Sequence, residues 1–302
     1  MTRMKLHGIF VPLVTPFESD ASVALGQVRN NVALFNKTKL AGYVPNGSTS
    51  ESVLLRWEEV YKVWEAVREA AASEKILIAG TGAESTAETI EHTNRAAKIG
   101  YAVALVRTPS FYKPSINDHM LAEHYLRVAD TARIPVMVYS VPVFTHVTVG
   151  ASLIERVAKH PNIVGLKDSS GDVAGVAAIV AAAPKEFQTL TGSASTVHEA
   201  LQAGAVGAIL GLANPFPDLC TEIYAAAQAG DRAKAQTLAQ KLVIPSKMLL
   251  MDYGIAGLKY AMDRLGFYGG LPRPPLLPVS EAGKLEIQAM LDAMIARTSA
   301  GS

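Results

Sequence analysis

The chain has 302 residues, 49% of them hydrophobic, and 28 basic against 27 acidic side chains give a formal net charge of +1. This composition predicts a globular fold with a sizeable core, and the balanced charge without any Lys/Arg-rich run argues against nucleic acid as a partner. The short apolar start, broken by Pro12 and Pro16, predicts neither a signal peptide nor a membrane span, and the single Cys220 excludes internal disulfides and favours a cytoplasmic protein.

Short apolar runs alternate with longer segments of helical periodicity. Eight runs are predicted to be strands: 8–14, 41–47, 76–82, 102–108, 135–141, 163–168, 187–192 and 206–211. Helical spacing of apolar residues is clearest at 56–72, 85–100, 116–132 and 150–160. Eight alternating units predict an α/β protein with a parallel sheet closed into a (β/α)8 TIM barrel, and a doubly wound open sheet is the alternative.

Beyond residue 212 the pattern becomes purely helical, apart from an extended connection, "GGLPRPPLLP", at 269–278. No low-complexity linker precedes this change. We therefore expect one structural unit with two parts: a barrel over residues 1–214 and a C-terminal helical extension over 215–302 that packs on the barrel.

In a (β/α)8 barrel the chemistry lies at the carboxyl ends of the strands, where Lys167 ends the run "IVGLK". A lysine there can attack a carbonyl carbon and form an imine, provided that burial favours the neutral amine. Tyr139 ends the fifth run and can transfer protons, with the hydroxyl of Ser48 passing them on. Backbone N–H groups in "NGSTSE" can bind a carboxylate.

These residues also have ordinary structural interpretations. Lys167 can be a surface lysine, Tyr139 a packing residue, and "GSTSE" a helix N-cap. For Glu51, Asp168 and Asp172 we favour caps and salt bridges. His146 and the other histidines lack metal-ligand spacing, and the Gly-rich "GTGAEST" is weak evidence for a phosphate site. No metal or cofactor is therefore expected.

The motifs "GSTSE", "TPSFYKP", "YSVP", "GLKDSSGD" and "TGS" follow one another in an order that resembles the dihydrodipicolinate synthase and N-acetylneuraminate lyase family of class I aldolases. The resemblance covers nearly the whole chain. It implies a barrel with C-terminal helices, a homo-oligomer (a tetramer or a dimer), and a pyruvate-type 2-oxo acid as the small-molecule substrate. The reaction would proceed through a lysine Schiff base without metal.

Residue by residue, the resemblance makes Lys167 the imine lysine and Tyr139 the catalytic tyrosine, with Ser48 in the proton relay. It makes Thr49 the residue that holds the pyruvate carboxylate, and it places Gly192 and Ile209 in the same pocket.

Within the family, extended stretches such as "HPNIVGLKDSSGDV" and "GLKYAMDRLGFYGG" resemble the 4-hydroxy-2-oxoglutarate aldolase branch. The synthases place a carboxylate-binding arginine five residues after the catalytic tyrosine, where this chain has Phe144. Two further departures are Ser50 in place of a glycine, and Phe111 in place of the tyrosine that members donate across a subunit interface. Tyr112, beside it, is a candidate substitute.

We therefore predict a Schiff-base aldolase or lyase that cleaves 4-hydroxy-2-oxoglutarate, or a similar 4-hydroxy-2-oxo acid, to pyruvate and an aldehyde. One alternative is a dihydrodipicolinate synthase that joins pyruvate to aspartate semialdehyde. Another is a family member that binds 2-oxo acids without turnover.

Overall fold

Eight parallel strands form a closed barrel in the computed structural model, which describes residues 4–299. The strands are β1 (Gly8–Val11), β2 (Gly42–Tyr43), β3 (Ile76–Gly80), β4 (Val103–Arg107), β5 (Val136–Ser140), β6 (Ile163–Asp168), β7 (Gln188–Thr191) and β8 (Gly207–Ile209). Each strand pairs with the next, and β8 pairs with β1 through Ile9 opposite Ala208. The barrel therefore leaves no free sheet edge.

The predicted TIM barrel is confirmed, and all eight strands lie within the predicted runs. Several strands are shorter than their runs. β1 ends before Pro12 and β2 ends before Pro45. A proline has no N–H to donate, so each one interrupts the hydrogen bonds to one neighbouring strand. The segments after β1 and β2 still pair with each other, since the Leu13 N–H donates to the Val44 carbonyl at 3.1 Å.

Helices separate the strands and then continue alone. Those between strands are α1 (Leu25–Phe35), α2 (Trp57–Ala70), α3 (Thr86–Ile99), α4 (Asp118–Thr131), α5 (Pro142–Thr145), α6 (Ala151–Val157), α7 (Val173–Ala182) and α8 (Val197–Gln202). Those after the barrel are α9 (Pro217–Gln228), α10 (Arg232–Gln240), α11 (Val243–Ser246), α12 (Gly254–Arg264) and α13 (Glu281–Ser299), with a π-helical segment at Lys247–Asp252. No helix within residues 4–299 is long and apolar enough to cross a membrane.

Side chains alternate along the strands between the barrel interior and the layer under the helices. Phe10, Ile78, Leu105, Met137 and Ile209 belong to the interior cluster. Large aromatic and aliphatic residues from the helices fill the outer layer. The interior is thus a packed core, and the open space for a substrate lies above it, at the carboxyl ends of the strands.

The C-terminal helices pack directly on the barrel. Ile223, Leu258 and Ile287 lie in the same buried cluster as Ile9 and Val11 of β1. The prediction of a helical C-terminal part is confirmed, while the boundary at residue 215 stays a prediction.

Candidate active site

Lys167 and Tyr139 stand side by side at the mouth of the barrel. They are direct partners in the register of β5 and β6, and residues paired in this way point to the same face of the sheet. A register irregularity between Val136 and Met137 sets this alignment. Tyr139 belongs to the interior cluster, so both side chains face the inside of the barrel.

Lys167 is a buried lysine, only 4% exposed, and it forms no hydrogen bond or ion pair with any residue of the described chain. Its Nζ lies 4.3 Å from the centroid of the Tyr139 ring. Lys259 is also buried, but its Nζ is paired with Glu51 Oε1 at 2.5 Å. Of these two buried lysines, Lys167 therefore has the amine that is free to react.

Ser48 lies against Tyr139 from the other side of the barrel mouth. Its Oγ is 3.2 Å from Tyr139 Oη, and either hydroxyl can be the donor. Ser48 begins a 3₁₀ turn, Ser48–Ser50, that follows β2. A proton can pass between two hydroxyl groups at this distance, so the pair can serve as a relay beside Lys167.

Thr49 and the turn around it are anchored by buried contacts. The Ser50 hydroxyl donates to the carbonyl of Leu13, and the Ser50 carbonyl accepts a hydrogen bond of 2.8 Å from Thr15 Oγ1. The left-handed residue of the turn is Glu51, with φ of 58°. Ser50 therefore fits where the family has glycine, and its hydroxyl adds an anchor to the turn.

Gly192 and Ile209 border the same space. A Cβ on Gly192 would lie 1.9 Å from Ser169 Oγ and 3.0 Å from Lys167 Cε, so only glycine leaves room beside the lysine. Ile209 is buried inside the barrel in one cluster with Tyr139. The structure thus brings the six predicted site residues to one end of the barrel, while their individual roles stay predictions.

The aromatic residues flanking the site point outward. Phe111 and Tyr112 are 75% and 74% exposed and pack against each other, and Phe144 is 63% exposed. The Tyr112 hydroxyl bonds to no residue of the described chain. Within one chain neither aromatic reaches Tyr139, so a substitute role for Tyr112 stays a prediction.

The acidic residues that were interpreted as caps and salt bridges have these structural roles. Glu51 pairs with Lys259, the Asp168 carboxylate accepts the N–H and hydroxyl of Ser170, and Asp172 caps α7. Ser85 of the "GTGAEST" segment caps α3. Within residues 4–299, no group of three or more His, Cys, Asp or Glu side chains is arranged to hold a metal ion.

Arg107 is a residue at the barrel mouth that the sequence reasoning missed. It ends β4 directly opposite Tyr139, so Arg107, Tyr139 and Lys167 form one row across three strands. Its side chain lines a cleft at the barrel mouth together with Asn46, Gly47, Ser48, Ser52, Gly80, Gly82, Leu105 and Tyr139. The alternation Val103, Leu105, Arg107 at the end of a predicted strand was the signal that could have identified it.

A buried lysine without a hydrogen-bond partner in the described chain, beside a pair of hydroxyl groups at the mouth of a (β/α)8 barrel, fits a class I aldolase. The profile of the Dihydrodipicolinate synthetase family matches residues 5–294. The chain belongs to this family of Schiff-base lyases, and the prediction of a lyase is confirmed at that level.

Individual relatives agree with this assignment. The chain is 34% identical over 289 residues to a 4-hydroxy-tetrahydrodipicolinate synthase of Methanothrix thermoacetophila, with 95% of this chain and 97% of the relative covered. It is 36% identical over 275 residues to the enzyme of that name from Rhizobium meliloti, with 91% and 93% covered.

Among solved structures, it resembles the dihydrodipicolinate synthase from Acinetobacter baumannii in complex with pyruvate. The TM-score is 0.91 at 30% identity, and the match covers 96% of this chain and 99% of that one. All three relatives carry synthase names, and the 4-hydroxy-2-oxoglutarate aldolase branch stays a prediction.

Proposed function

We propose that the protein is a pyruvate-type Schiff-base aldolase that makes or breaks a carbon–carbon bond between pyruvate and an aldehyde. The observation that carries this proposal is the free, buried amine of Lys167 beside the Tyr139–Ser48 pair. The pyruvate bound to the Acinetobacter baumannii enzyme supports the same substrate class.

In the cleavage direction, Lys167 Nζ attacks the C2 carbonyl carbon of a 4-hydroxy-2-oxo acid and the carbinolamine loses water to give an imine. The C3–C4 bond then breaks as the 4-hydroxyl proton leaves, which releases an aldehyde and leaves an enamine on Lys167. Protonation at C3 and hydrolysis release pyruvate and the free lysine. Tyr139 moves protons to and from the carbinolamine and Ser48 relays them, while Thr49 holds the carboxylate that all 2-oxo acids share.

The first candidate for the whole substrate is 4-hydroxy-2-oxoglutarate, which yields pyruvate and glyoxylate. Phe144 counts against the synthase reaction, because this exposed side chain offers no partner to a carboxylate at the position where the resemblance gives the synthases an arginine. The second carboxylate of 4-hydroxy-2-oxoglutarate must therefore find its partner elsewhere at the barrel mouth. The second candidate is the condensation of pyruvate with aspartate semialdehyde, which the synthase names of the relatives favour.

We further propose a cytoplasmic homo-oligomer. Phe111 and Tyr112, which pack against each other, are each about three-quarters exposed in the single chain, and exposed apolar surface of this kind commonly marks protein contacts. The lone Cys220 is buried, as suits a protein without disulfides in a reducing compartment.

Reductive trapping tests the lysine assignment. After incubation with pyruvate and borohydride, peptide mapping is expected to place the added 1-carboxyethyl group on Lys167. Lys259, equally buried but paired, is the internal control and is expected to stay unmodified. A label on another lysine, or no label, would reject the proposal.

Turnover then separates the two candidates. We expect pyruvate release from 4-hydroxy-2-oxoglutarate with a kcat/KM well above that for condensation with aspartate semialdehyde, measured on one preparation. A clear preference for aspartate semialdehyde would assign the synthase activity instead. Trapping without turnover of either compound would favour a member that binds 2-oxo acids without catalysis.

A further inference from the structure

Arg107 presents a positive charge to the reacting end of the barrel. Its position opposite Tyr139 places it two strands from Lys167, on the inner face of the sheet. The side chain is 19% exposed and lines the cleft that also contains Ser48 and Tyr139. Arg107 therefore borders the same cleft as the Tyr139–Ser48 pair.

Only one nitrogen of the Arg107 guanidinium, Nη1, forms hydrogen bonds within the described chain. Nη1 donates to Glu84 Oε1 at 3.0 Å and to the Thr108 carbonyl and Ser110 Oγ at 3.3 Å each. Nε and Nη2 donate to no residue within the described chain. These two nitrogens form the edge of the guanidinium that binds a carboxylate with two parallel hydrogen bonds.

Glu84 fixes the orientation of that edge. Its carboxylate accepts hydrogen bonds of 2.8 Å and 3.0 Å from the N–H groups of Ser110 and Phe111. Burial alone would raise the pKa of Glu84, but these N–H groups and the Arg107 guanidinium hold it below its ordinary value. The carboxylate is therefore ionised at neutral pH and keeps Nη1 occupied.

Other groups at the mouth are less suited to bind an anion. Phe144 is apolar and exposed. Asn214 is fully buried, and its amide donates to the carbonyls of Pro12 and Gly211. The Ser193 hydroxyl lies 3.2 Å from Ser195 Oγ and carries no charge.

We infer that Arg107 is the specificity-determining residue that binds the carboxylate of the aldehyde half of the substrate. The enzyme then prefers 2-oxo acids that carry a second carboxylate at the far end over 2-oxo acids of the same length whose far end is uncharged. This inference rests on the proposed imine at Lys167. It assigns to β4 the recognition of an anion, because the position five residues after Tyr139 is Phe144 and offers no hydrogen-bond donor.

The test uses two acids that lack the 4-hydroxyl group and so cannot be cleaved, 2-oxoglutarate and 2-oxopentanoate. They differ only at the far end, which is a carboxylate in the first and a methyl group in the second. Each forms an imine at its C2 carbonyl, and borohydride reduction fixes it on the lysine. The concentration that half-saturates labelling of Lys167 is measured for both acids and for pyruvate. Neither acid needs to turn over, so the measurement reports binding alone.

The wild-type enzyme is expected to be half-saturated by 2-oxoglutarate at a lower concentration than by 2-oxopentanoate. In Arg107→Met the value for 2-oxoglutarate should rise roughly 10- to 100-fold, the usual worth of hydrogen bonds to a charged group. The values for 2-oxopentanoate and pyruvate should change by less than about twofold, because only the far carboxylate loses its partner. Arg107→Lys should keep part of the preference, since it retains the charge but not the paired donors.

Arg29→Met is the matched control, because it removes an exposed arginine–glutamate pair with Glu69 on the outer helices. It should leave all three concentrations unchanged. Equal weakening of all three acids in Arg107→Met, or a wild-type enzyme that does not distinguish the two longer acids, would overturn the inference while leaving the aldolase proposal intact. Failure of pyruvate itself to label Lys167 would instead reject the aldolase proposal, and this inference with it.

Discussion

Glu51 and Lys259 form an ion pair in which neither side chain reaches solvent, with Nζ 2.5 Å from Oε1. Glu51 follows the turn that carries Ser48 and Thr49, whereas Lys259 belongs to α12 of the C-terminal part. The second oxygen of Glu51 accepts the N–H of Arg273 at 2.7 Å. The C-terminal part therefore anchors the turn that is predicted to bind the substrate.

Lys259→Met is expected to destabilise the protein strongly. Removing one member of a buried pair leaves the carboxylate of Glu51 without its counter-charge, at a cost of roughly 3–5 kcal/mol in the free energy of unfolding. Urea denaturation at one fixed protein concentration measures this loss.

The double variant Glu51→Gln with Lys259→Met is expected to recover part of the lost stability, since no unpaired charge then remains. If Lys259→Met alone is as stable as the wild type, the Glu51–Lys259 pair contributes little to holding the turn.

Tyr139→Phe should separate binding from turnover. The ring can still pack beside Lys167, so trapping by pyruvate is expected to be retained more than turnover is, while loss of the hydroxyl removes the link to Ser48. The rate of turnover should fall roughly 10²- to 10⁴-fold, the usual worth of a positioned acid or base.

The matched control is Tyr101→Phe, which removes a buried hydroxyl that donates to the Trp64 carbonyl of α2, away from the barrel mouth. Its turnover should be close to the wild-type value. If Tyr139→Phe also turns over at the wild-type rate, Tyr139 is a packing residue.

The strands, and the position of Lys167 at the end of one of them, could be predicted because their signals are local. The run "IVGLK" ends a buried strand at Lys167, and apolar runs of this kind identify strands without knowledge of their neighbours. The exposure of Phe111 and Phe144 could not be predicted in this way, because it depends on where each loop lies over the barrel.

Pairing between distant segments was beyond the sequence reasoning. Nothing near Glu51 in the chain indicates that Lys259 would neutralise it, so its interpretation as a cap or salt bridge could name no partner. Arg107 was missed for a different reason. We considered the residues after β4, Phe111 and Tyr112, whereas the strand alternation places the last residue of β4 itself inside the mouth.

Gly192→Ala is expected to weaken imine formation. The added methyl group would meet Ser169 Oγ and Lys167 Cε, so either the serine shifts or the lysine loses its position. The concentration of pyruvate that half-saturates trapping should rise roughly tenfold, about 1.4 kcal/mol in binding. Ser169→Gly in the same chain should restore part of the affinity by removing the nearer clash.

Gly150→Ala is the control, since a Cβ at this position meets no atom within 4 Å. Unchanged trapping in Gly192→Ala would mean that the space beside Lys167 is not limiting.

Arg273 links the extended connection before α13 to α2, and this contact should make stability depend on pH. Its guanidinium donates to both carboxylate oxygens of Glu59, at 2.6 Å and 2.8 Å. These hydrogen bonds lower the pKa of Glu59 from its ordinary 4.5 to about 2. Because the pKa is lower in the folded state, the contribution is complete above pH 4.5 and is lost as the pH falls toward 2.

Glu59→Gln should therefore be less stable than the wild type at pH 7, by roughly 1–3 kcal/mol, and the difference should shrink as the pH falls from 4.5 toward 2. Urea denaturation at pH 7, 4 and 3 measures this difference. Glu69→Gln, which removes the exposed pair with Arg29, should cost little at any of these pH values. A Glu59→Gln deficit that stays constant across the three pH values would mean that the lost hydrogen-bond geometry, and not the charge of Glu59, accounts for the effect.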